Sequence, residues 1–205
     1  MCDAGADKRL LIVPALFDEA NRMRRLSVEV MRRLERAGID SFLVDMPGTN
    51  ESLQRLETQG CEDWRDAIGA AARHFGTAHV LGIRGGCLFT PTDLTRWHYA
   101  PAKGPVILRQ MIRARILASR EAGTEETSDG LMKIGQTEGI ELAGYGLGAD
   151  FIEAFQSLKP AADPAIHQIG QDTIGGSGLW LRAEPGESRE QADALAAVLA
   201  IGLQA

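Results

Sequence analysis

The sequence predicts an α/β protein with three layers, in which helices cover both faces of a mainly parallel sheet. Short apolar runs alternate with longer amphipathic segments along the chain, as strands and crossover helices do. The apolar run at residues 10–13 stops at Pro14 and predicts a first strand that is buried on both faces. Residues 22–37 carry apolar side chains at three- and four-residue spacing and stop at Gly38, which predicts an amphipathic helix.

Further strands and helices alternate along the rest of the chain. Strands are predicted at residues 41–45, 79–83, 94–100, 140–145, 165–169 and 179–182, and helices at residues 61–75, 105–119, 150–158 and 188–203. Ser188 and Gln191 have the spacing of a capping box. Residues 120–129 lack periodicity and predict a loop. With no repeat or boundary evident in the sequence, we expect one domain over residues 1–205, with residues 1–8 flexible.

The composition is that of a globular chain with an acidic surface. Of 205 residues, 44% are hydrophobic, and 22 basic against 28 acidic residues give a net charge of −6. Such a surface disfavours nucleic acid and anionic lipid as partners. No apolar run reaches the length of about 20 residues that a membrane span needs, and the short acidic N-terminus differs from a signal sequence. We therefore expect a cytoplasmic protein without membrane insertion, and a homodimer remains open.

The cysteines predict neither disulfides nor a metal site. Cys2, Cys61 and Cys87 are odd in number and far apart, so we expect reduced thiols. No metal ion and no cofactor are predicted. The glycines at residues 82–86 do not follow the first strand, as a dinucleotide loop would, and this disfavours a flavodoxin-like or nucleotide-binding domain.

The most informative segment is Gly82-Ile83-Arg84-Gly85-Gly86, which lies between a predicted strand and a predicted helix. In a strand-turn-helix elbow, small residues two before and two after the central residue let the strand and helix approach closely. Gly82 and Gly86 occupy these two positions. The central residue, which is Ser in the motif G-x-S-x-G, is Arg84, and a guanidinium has no nucleophilic lone pair. The sequence thus predicts the elbow without its usual nucleophile.

Cys87 is the alternative nucleophile near this elbow. A thiol close to a helix N-terminus and to Arg84 would have a lowered pKa. Its position three residues past Arg84 favours a small buried apolar role instead. A Ser-Asp-His triad in α/β-hydrolase order also needs a late histidine, and His167 is the last one in the sequence. An intact triad is therefore disfavoured.

The loops that follow the first two strands carry further polar candidates. Asp18 or Asn21 is expected to cap the next helix. The loop after the first strand lies beside the elbow in this kind of fold, so we expect Glu19 to face Arg84. This contact is either a structural ion pair or part of a polar pocket for an anionic ligand. Asp45 follows the second strand, at the edge where open α/β sheets bind ligands.

Taken together, these segments resemble α/β-hydrolase-fold proteins known as exosortase A system-associated hydrolases, of the hydrolase 2 type. The matching segments are Glu19 and Asn21 with Arg24 and Arg25, Asp45 to Gly48, Trp64 with Asp66, Gly82 to Leu88, Trp97, Gln110 with Arg113, Ala143 to Leu147, and Leu179 with Trp180. The resemblance implies a minimal α/β-hydrolase-like fold, an exosortase or exopolysaccharide setting, and arginine at the elbow as a family trait. The chain departs from the family at residues 49–51, where Cys-Gly-Asp is usual, and is shorter over residues 165–178.

Two kinds of function remain open at this point. The first is an unconventional acyl hydrolase or transferase acting on a small-molecule or acyl substrate. Its catalytic residues would be Glu19, Arg84 and Cys87, and its ligand-binding residues Asn21, Asp45, Gly85 and Gly86. The second is a non-catalytic protein that binds a ligand or partner on the same fold.

Overall fold

The structure is a computed structural model that describes residues 1–204. The strands are β1 (Lys8–Val13), β2 (Ile39–Leu43), β3 (His79–Ile83), β4 (Thr95–Tyr99), β5 (Ile140–Leu142), β6 (Tyr145–Leu147) and β7 (His167–Ile169). The helices are α1 (Asp18–Arg36), α2 (Cys61–Phe75), α3 (Gly104–Glu121), α4 (Ser128–Glu138), α5 (Ala149–Phe155), α6 (Gln171–Ile174) and α7 (Arg189–Gln204). Short 3₁₀ turns occupy Leu56–Thr58, Arg84–Leu88 and Leu179–Leu181.

The central sheet has five strands in the order β2-β1-β3-β4-β7, and every neighbouring pair is parallel. Because all five strands run the same way, their carboxyl ends meet at one edge of the sheet. The loops after β1, β3 and β4 therefore gather at that edge, where ligand sites lie in open α/β sheets. The predicted α/β class with a mainly parallel sheet is confirmed.

The chain divides into two compact units. The first comprises Met1–Val44, Ile68–Pro101 and the described residues from Ala161 onward, and it holds the five-stranded sheet. The second comprises Asp45–Ala67 and Ala102–Pro160, and it holds the antiparallel hairpin β5-β6 with α3, α4 and α5. That residues 1–205 form one domain stays a prediction.

Both faces of the sheet are covered within the first unit. Leu10 and Ile12 of β1 belong to a core cluster shared with α1 and α7. Phe42 of β2 is aligned with Leu11, whose side chain alternates to the opposite face, and it stacks on Phe75 of α2 at 4.2 Å. Helices therefore pack on both faces and give the three predicted layers.

The second unit has its own aromatic core. Phe151 of α5 makes an edge contact with Trp64 at 5.0 Å and a stacked contact with Phe155 at 5.1 Å between ring centroids. The indole Nε1 of Trp64 donates a hydrogen bond to the carbonyl oxygen of Pro47 at 3.0 Å. The turn after β2 is thereby fixed to the start of α2.

Two predictions about α1 need correction, and α4 was missed. Helix α1 begins at Asp18 and not at residue 22, so the polar residues predicted for a loop lie in its first turns. Neither Asp18 nor Asn21 caps the helix, because Phe17 occupies the N-cap position without a side-chain hydrogen bond. Helix α4 was not predicted, since its glycines weaken the helical pattern, although Thr127 caps it by accepting a hydrogen bond from the Gly130 amide.

Two strand predictions were also wrong, the first in part and the second entirely. Residues 140–145 do not form one strand, because Ala143 and Gly144 both have positive φ (51° and 81°) and form the tight turn between β5 and β6. Residues 179–182 form a 3₁₀ turn in which the Leu181 and Arg182 amides bond back to the carbonyls of residues 178 and 179. The apolar run there is not buried as a strand would be, since Leu181 is exposed.

The first residues of the chain contact β2, which lies at one edge of the sheet. Cys2 and Ser41 exchange two main-chain hydrogen bonds of 2.9 Å each. The amides of Ala4 and Ala6 donate to the carboxylate of Asp40 at 2.8 and 2.7 Å. Cys2 thus acts as a short antiparallel partner on the outer side of β2. At the other edge lies β7, which has only three residues.

Candidate functional site

The elbow after β3 has the tight geometry that its glycines predict. Arg84 follows the last residue of β3 with a φ of 53°, and the chain continues directly into the 3₁₀ turn. A Cβ atom on Gly82 would lie 2.7 Å from Cα of Cys87. A Cβ atom on Gly86 would overlap the carbonyl oxygens of Val13 and Pro14. Both positions therefore require glycine, because backbone atoms approach too closely for any side chain.

Arg84 and Glu19 form a two-pronged ion pair. Nε of Arg84 donates to Oε2 of Glu19, and Nη2 donates to Oε1, both at 3.1 Å. The remaining arm, Nη1, donates to the carbonyl oxygen of Ala100 at 2.7 Å. The two side chains are only 12% and 8% exposed, respectively. The structure thus brings Glu19 and Arg84 together as the sequence predicts.

Trp180 completes the surroundings of Arg84. Its ring centroid lies 4.2 Å from the guanidinium carbon, which is a cation–π contact. The carbonyl oxygen of Trp180 accepts a hydrogen bond of 3.1 Å from Nη1 of Arg22. The ring of Tyr99 meets Trp180 edge-on at 6.0 Å, and the Tyr99 hydroxyl donates to Oε1 of Gln171 at 2.6 Å. Arg84 is therefore enclosed by a carboxylate, a carbonyl group and an aromatic ring.

Three strained residues lie at or next to this ion pair, and Arg84 itself is one of them. Phe17, Arg84 and Ala100 are non-glycine residues with φ of 54°, 53° and 44°, and they follow β1, β3 and β4. Phe17 also has a ψ of −132°, a combination that is almost restricted to glycine. Each such residue costs about 1–3 kcal/mol, and strain of this kind clusters at functional sites. Its concentration at the carboxyl edge of the sheet marks the Arg84–Glu19 pair as the candidate site.

Cys87 lies under the elbow and faces the interior. Its thiol donates to the carbonyl oxygen of Gly82 at 3.2 Å, and the residue is 3% exposed. Burial raises the pKa of this thiol far above its usual value, although the charge of Arg84 acts in the opposite direction. The buried position agrees with the small apolar role that the sequence favours, and the alternative of a lowered pKa for this thiol is not met. The reason is that the short turn directs Sγ into the core and away from solvent.

His98 of β4 is a buried titratable residue close to the elbow. It is aligned with Gly82, and its Nε2 lies 2.9 Å from Oγ1 of Thr90. Burial, with the charge of Arg96 as a second cause, lowers the pKa of His98 to about 4. The imidazole is consequently neutral near pH 7 and contributes to the packing beneath the elbow.

The remaining predicted residues differ in their placement. Gly85 and Gly86 are buried in the elbow beside Arg84. Asn21 is on α1 two residues after Glu19, and its side chain is exposed. Asp45 belongs to the second unit, where it accepts a hydrogen bond of 2.9 Å from Nδ2 of Asn50.

The residues around Arg84 that were not predicted from the sequence contribute both backbone carbonyl groups and side chains. Trp180 and Ala100 were not proposed as site residues, and neither was Arg22. Every residue has a backbone carbonyl group, so nothing in the sequence predicts that those of Ala100 and Trp180 accept hydrogen bonds at this site. The aromatic residue in the family-like pair Leu179-Trp180 was the available signal for Trp180.

The histidine that a triad in this chain order would need is part of the sheet. His167, the last histidine of the sequence, lies in β7 and stacks on Trp97 at 4.8 Å between ring centroids.

Among residues 1–204, no three His, Cys, Asp or Glu side chains are grouped so that they could hold a metal ion. No helix within the same residues is both long enough and apolar enough to cross a bilayer. The chemistry that this site can perform is the recognition of a carboxylate by the guanidinium of Arg84, which donates two hydrogen bonds to it.

Two cavities lie within the second unit. The larger, of about 500 Å³, is lined by Arg115, Ser119 and Glu141 with several small residues of α3 and the β5-β6 turn. The smaller, of about 200 Å³, lies between α3, α4 and Gln156 and is mostly apolar. Neither cavity is lined by the residues predicted for the functional site.

No protein-family model and no curated protein matches the chain. Among solved structures, it is similar to Est1E from Butyrivibrio proteoclasticus, determined with ferulic acid bound, with a TM-score of 0.53 and 16% identity. That match covers 75% of this chain, which spans 62% of the Est1E chain. A protein from Agrobacterium vitis S4 that bears a provisional hydrolase name has a TM-score of 0.50 and 13% identity, with 98% of this chain and 90% of that chain covered. These similarities show that the chain has a minimal α/β-hydrolase-like fold.

Proposed function

We propose that this α/β-hydrolase-like protein binds a ligand at the Arg84–Glu19 site without forming an acyl-enzyme. The observation that carries the proposal is the two-pronged ion pair at the elbow, with both side chains largely buried. A guanidinium stays protonated and cannot attack a carbonyl carbon. In this proposal Arg84 stands where the fold otherwise presents its serine nucleophile.

The other candidate nucleophile is unsuited to acyl transfer. The Cys87 thiol points to the Gly82 carbonyl, and burial favours its protonated form. Since the thiolate is the reactive species, Cys87 is a packing residue in this proposal. Glu19 is bound to Arg84 through both carboxylate oxygens and is not placed to act as a general base.

A second candidate function is an unconventional acyl hydrolase or transferase. The strained backbone at Arg84, with its φ of 53°, favours this candidate, because such strain also occurs where an elbow presents a catalytic residue. In that case Arg84 would hold an anionic substrate and Cys87 would attack it. The resemblance of the sequence to exosortase-associated hydrolases supports an exosortase or exopolysaccharide setting for either candidate.

Covalent labelling separates the two candidates. The purified protein is treated with a thiol-reactive and a serine-reactive acyl probe, and adducts are mapped by peptide mass spectrometry. We expect no adduct on residues 84–88 in the folded protein, and labelling of Cys87 only after unfolding. Cys2→Ser serves as the control, because Cys2 is the partly exposed thiol. Rapid, saturable labelling of Cys87 in the folded protein would contradict the proposal and support the acyl-transfer candidate.

A further inference from the structure

We propose that Arg84 is a receptor for the carboxylate group of a small aryl or alkyl acid, and that Glu19 is an internal competitor for this receptor. The inference rests on the proposed function, in which the site binds its ligand without attacking it. It adds the chemical class of the ligand and the way in which the ligand enters.

The geometry of the ion pair is that of carboxylate recognition in general. Nε and Nη2 of Arg84 present two parallel N–H groups, and the two oxygens of Glu19 accept them at equal distances of 3.1 Å. A planar guanidinium binds any carboxylate in this two-pronged way, whether the carboxylate belongs to the same chain or to a ligand. A carboxylate that replaces Glu19 would therefore find both donors already oriented.

Arg84 is held in place by groups other than Glu19. Nη1 donates to the Ala100 carbonyl at 2.7 Å, and the ring of Trp180 covers the guanidinium. These contacts do not involve the carboxylate of Glu19. They would keep the guanidinium in position during an exchange of one carboxylate for another, so the receptor is preorganised.

Glu19 is attached to a strained part of the chain. It lies in the first turn of α1, two residues after Phe17, whose φ of 54° and ψ of −132° are unfavourable for a residue with a side chain. A shift of this first turn that withdraws Glu19 would let Phe17 relax toward a common conformation. The strain of the paired state thereby favours exchange.

The neighbouring rings indicate which acids fit best. Trp180 covers the guanidinium, and Tyr99 lies edge-on to Trp180. Tyr99 is fully buried and supports the Trp180 ring, which is half-buried. An acid with a flat or apolar body next to its carboxylate can contact the Trp180 ring while the carboxylate binds Arg84. Benzoate is the simplest probe with this chemistry, and benzamide has the same shape without the charge.

The test is a calorimetric titration with sodium benzoate at pH 7.5 and constant ionic strength. Glu19→Gln is expected to bind benzoate about tenfold more tightly than the wild type, because its internal competitor has lost its charge. Arg84→Met is expected to lose benzoate binding, and benzamide is expected to bind none of the proteins. Glu29→Gln, which removes a half-buried, ion-paired carboxylate from the same helix, is the matched control and should bind benzoate as the wild type does.

A second variant covers the case in which Glu19→Gln fails to fold. Glu19→Asp keeps the charge but shortens the side chain, so it should pair less well with Arg84 and bind benzoate more tightly than the wild type. Equal benzoate affinities for the wild type and the folded Glu19 variant would overturn the inference, as would binding that survives Arg84→Met. An aryl ester that leaves an acyl group on the protein, seen by intact mass, would instead contradict the proposed function.

Discussion

The ring of Trp180 lies over the guanidinium of Arg84, with 4.2 Å between the ring centroid and the guanidinium carbon. Because Arg22 holds the Trp180 carbonyl at 3.1 Å, this cover is fixed to α1, the helix that also carries Glu19. The ion pair and its aromatic cover are thus attached to the same helix. A displacement of the first turns of α1 would therefore move both the carboxylate of Glu19 and the ring of Trp180 relative to Arg84.

Replacement of Trp180 tests the aromatic cover. Trp180→Leu should lower the free energy of unfolding by about 1–2 kcal/mol, since it removes the cation–π contact and part of the packing on Tyr99. Urea denaturation of the variant measures this loss. Trp180→Phe keeps a ring over Arg84 and should lose less. Equal losses for the two variants would show that the ring over Arg84 makes no specific contribution.

A double-mutant cycle tests the buried ion pair. Glu19→Leu and Arg84→Met should each lower the free energy of unfolding by about 3 kcal/mol, because each leaves one charge buried without its partner. The double variant should lose much less than the sum, since no uncompensated charge remains. Glu29→Gln, whose pairs with Arg32 and Arg33 are more exposed, should lose no more than about 1 kcal/mol. Additive losses for Glu19 and Arg84 would contradict the assigned coupling.

A pair of glycine substitutions tests the closeness of the elbow. Gly82→Ala should lower the free energy of unfolding by about 2–3 kcal/mol, because its Cβ would lie 2.7 Å from Cα of Cys87. Gly69→Ala in α2 is the control, since its Cβ would meet only the flexible end of Arg73 at 3.4 Å. Alanine favours a helix more than glycine does, so this control should gain up to about 1 kcal/mol. Thermal unfolding that gives both variants the same melting temperature would contradict this geometry.

The pH dependence of stability tests the burial of His98. Its pKa is about 4 in the folded protein against an ordinary value of 6.5, so the unfolded chain binds the proton first as the pH falls. The wild type should therefore lose up to about 3 kcal/mol of stability from this residue between pH 6.5 and pH 4, and none of it above pH 6.5. The His98→Gln variant should not show this loss of stability, because glutamine does not titrate.

The difference in free energy of unfolding between the wild type and His98→Gln should shrink from pH 7.5 to pH 4.5. Urea denaturation at these two pH values measures it, and the exposed His74→Gln variant serves as the control that should follow the wild type. A difference that stays constant between the two pH values would show that folding does not lower the pKa of His98.

The part of the site that could best be predicted from the sequence lies at the carboxyl edge of the sheet. Gly82 and Gly86 identified the elbow because their spacing reflects a backbone requirement, and the position of Glu19 after β1 placed it near Arg84 once the strands were parallel. Both inferences depend on local pattern and strand direction, which a sequence carries directly.

Other features depend on contacts between distant segments. Residues 179–182 have the apolar character of a strand, but they form a 3₁₀ turn that places Trp180 over Arg84. The burial of Cys87 agrees with the apolar role that the sequence favours, but the direction of Sγ toward the Gly82 carbonyl depends on how the turn packs under the elbow. Tertiary contacts decide in both places, and residue type alone does not reveal them.

The two edge strands of the parallel sheet, β2 and β7, also affect whether copies of this chain can associate through their sheets. An open strand edge can recruit a strand from another molecule and so begin aggregation. Here Cys2 already occupies the outer hydrogen-bonding groups of Ser41 in β2, and β7 offers only three residues at the opposite margin. A foreign strand would have to displace Cys2 on one side and would find little to pair with on the other. The sheet is therefore poorly suited to serve as a template for polymerisation.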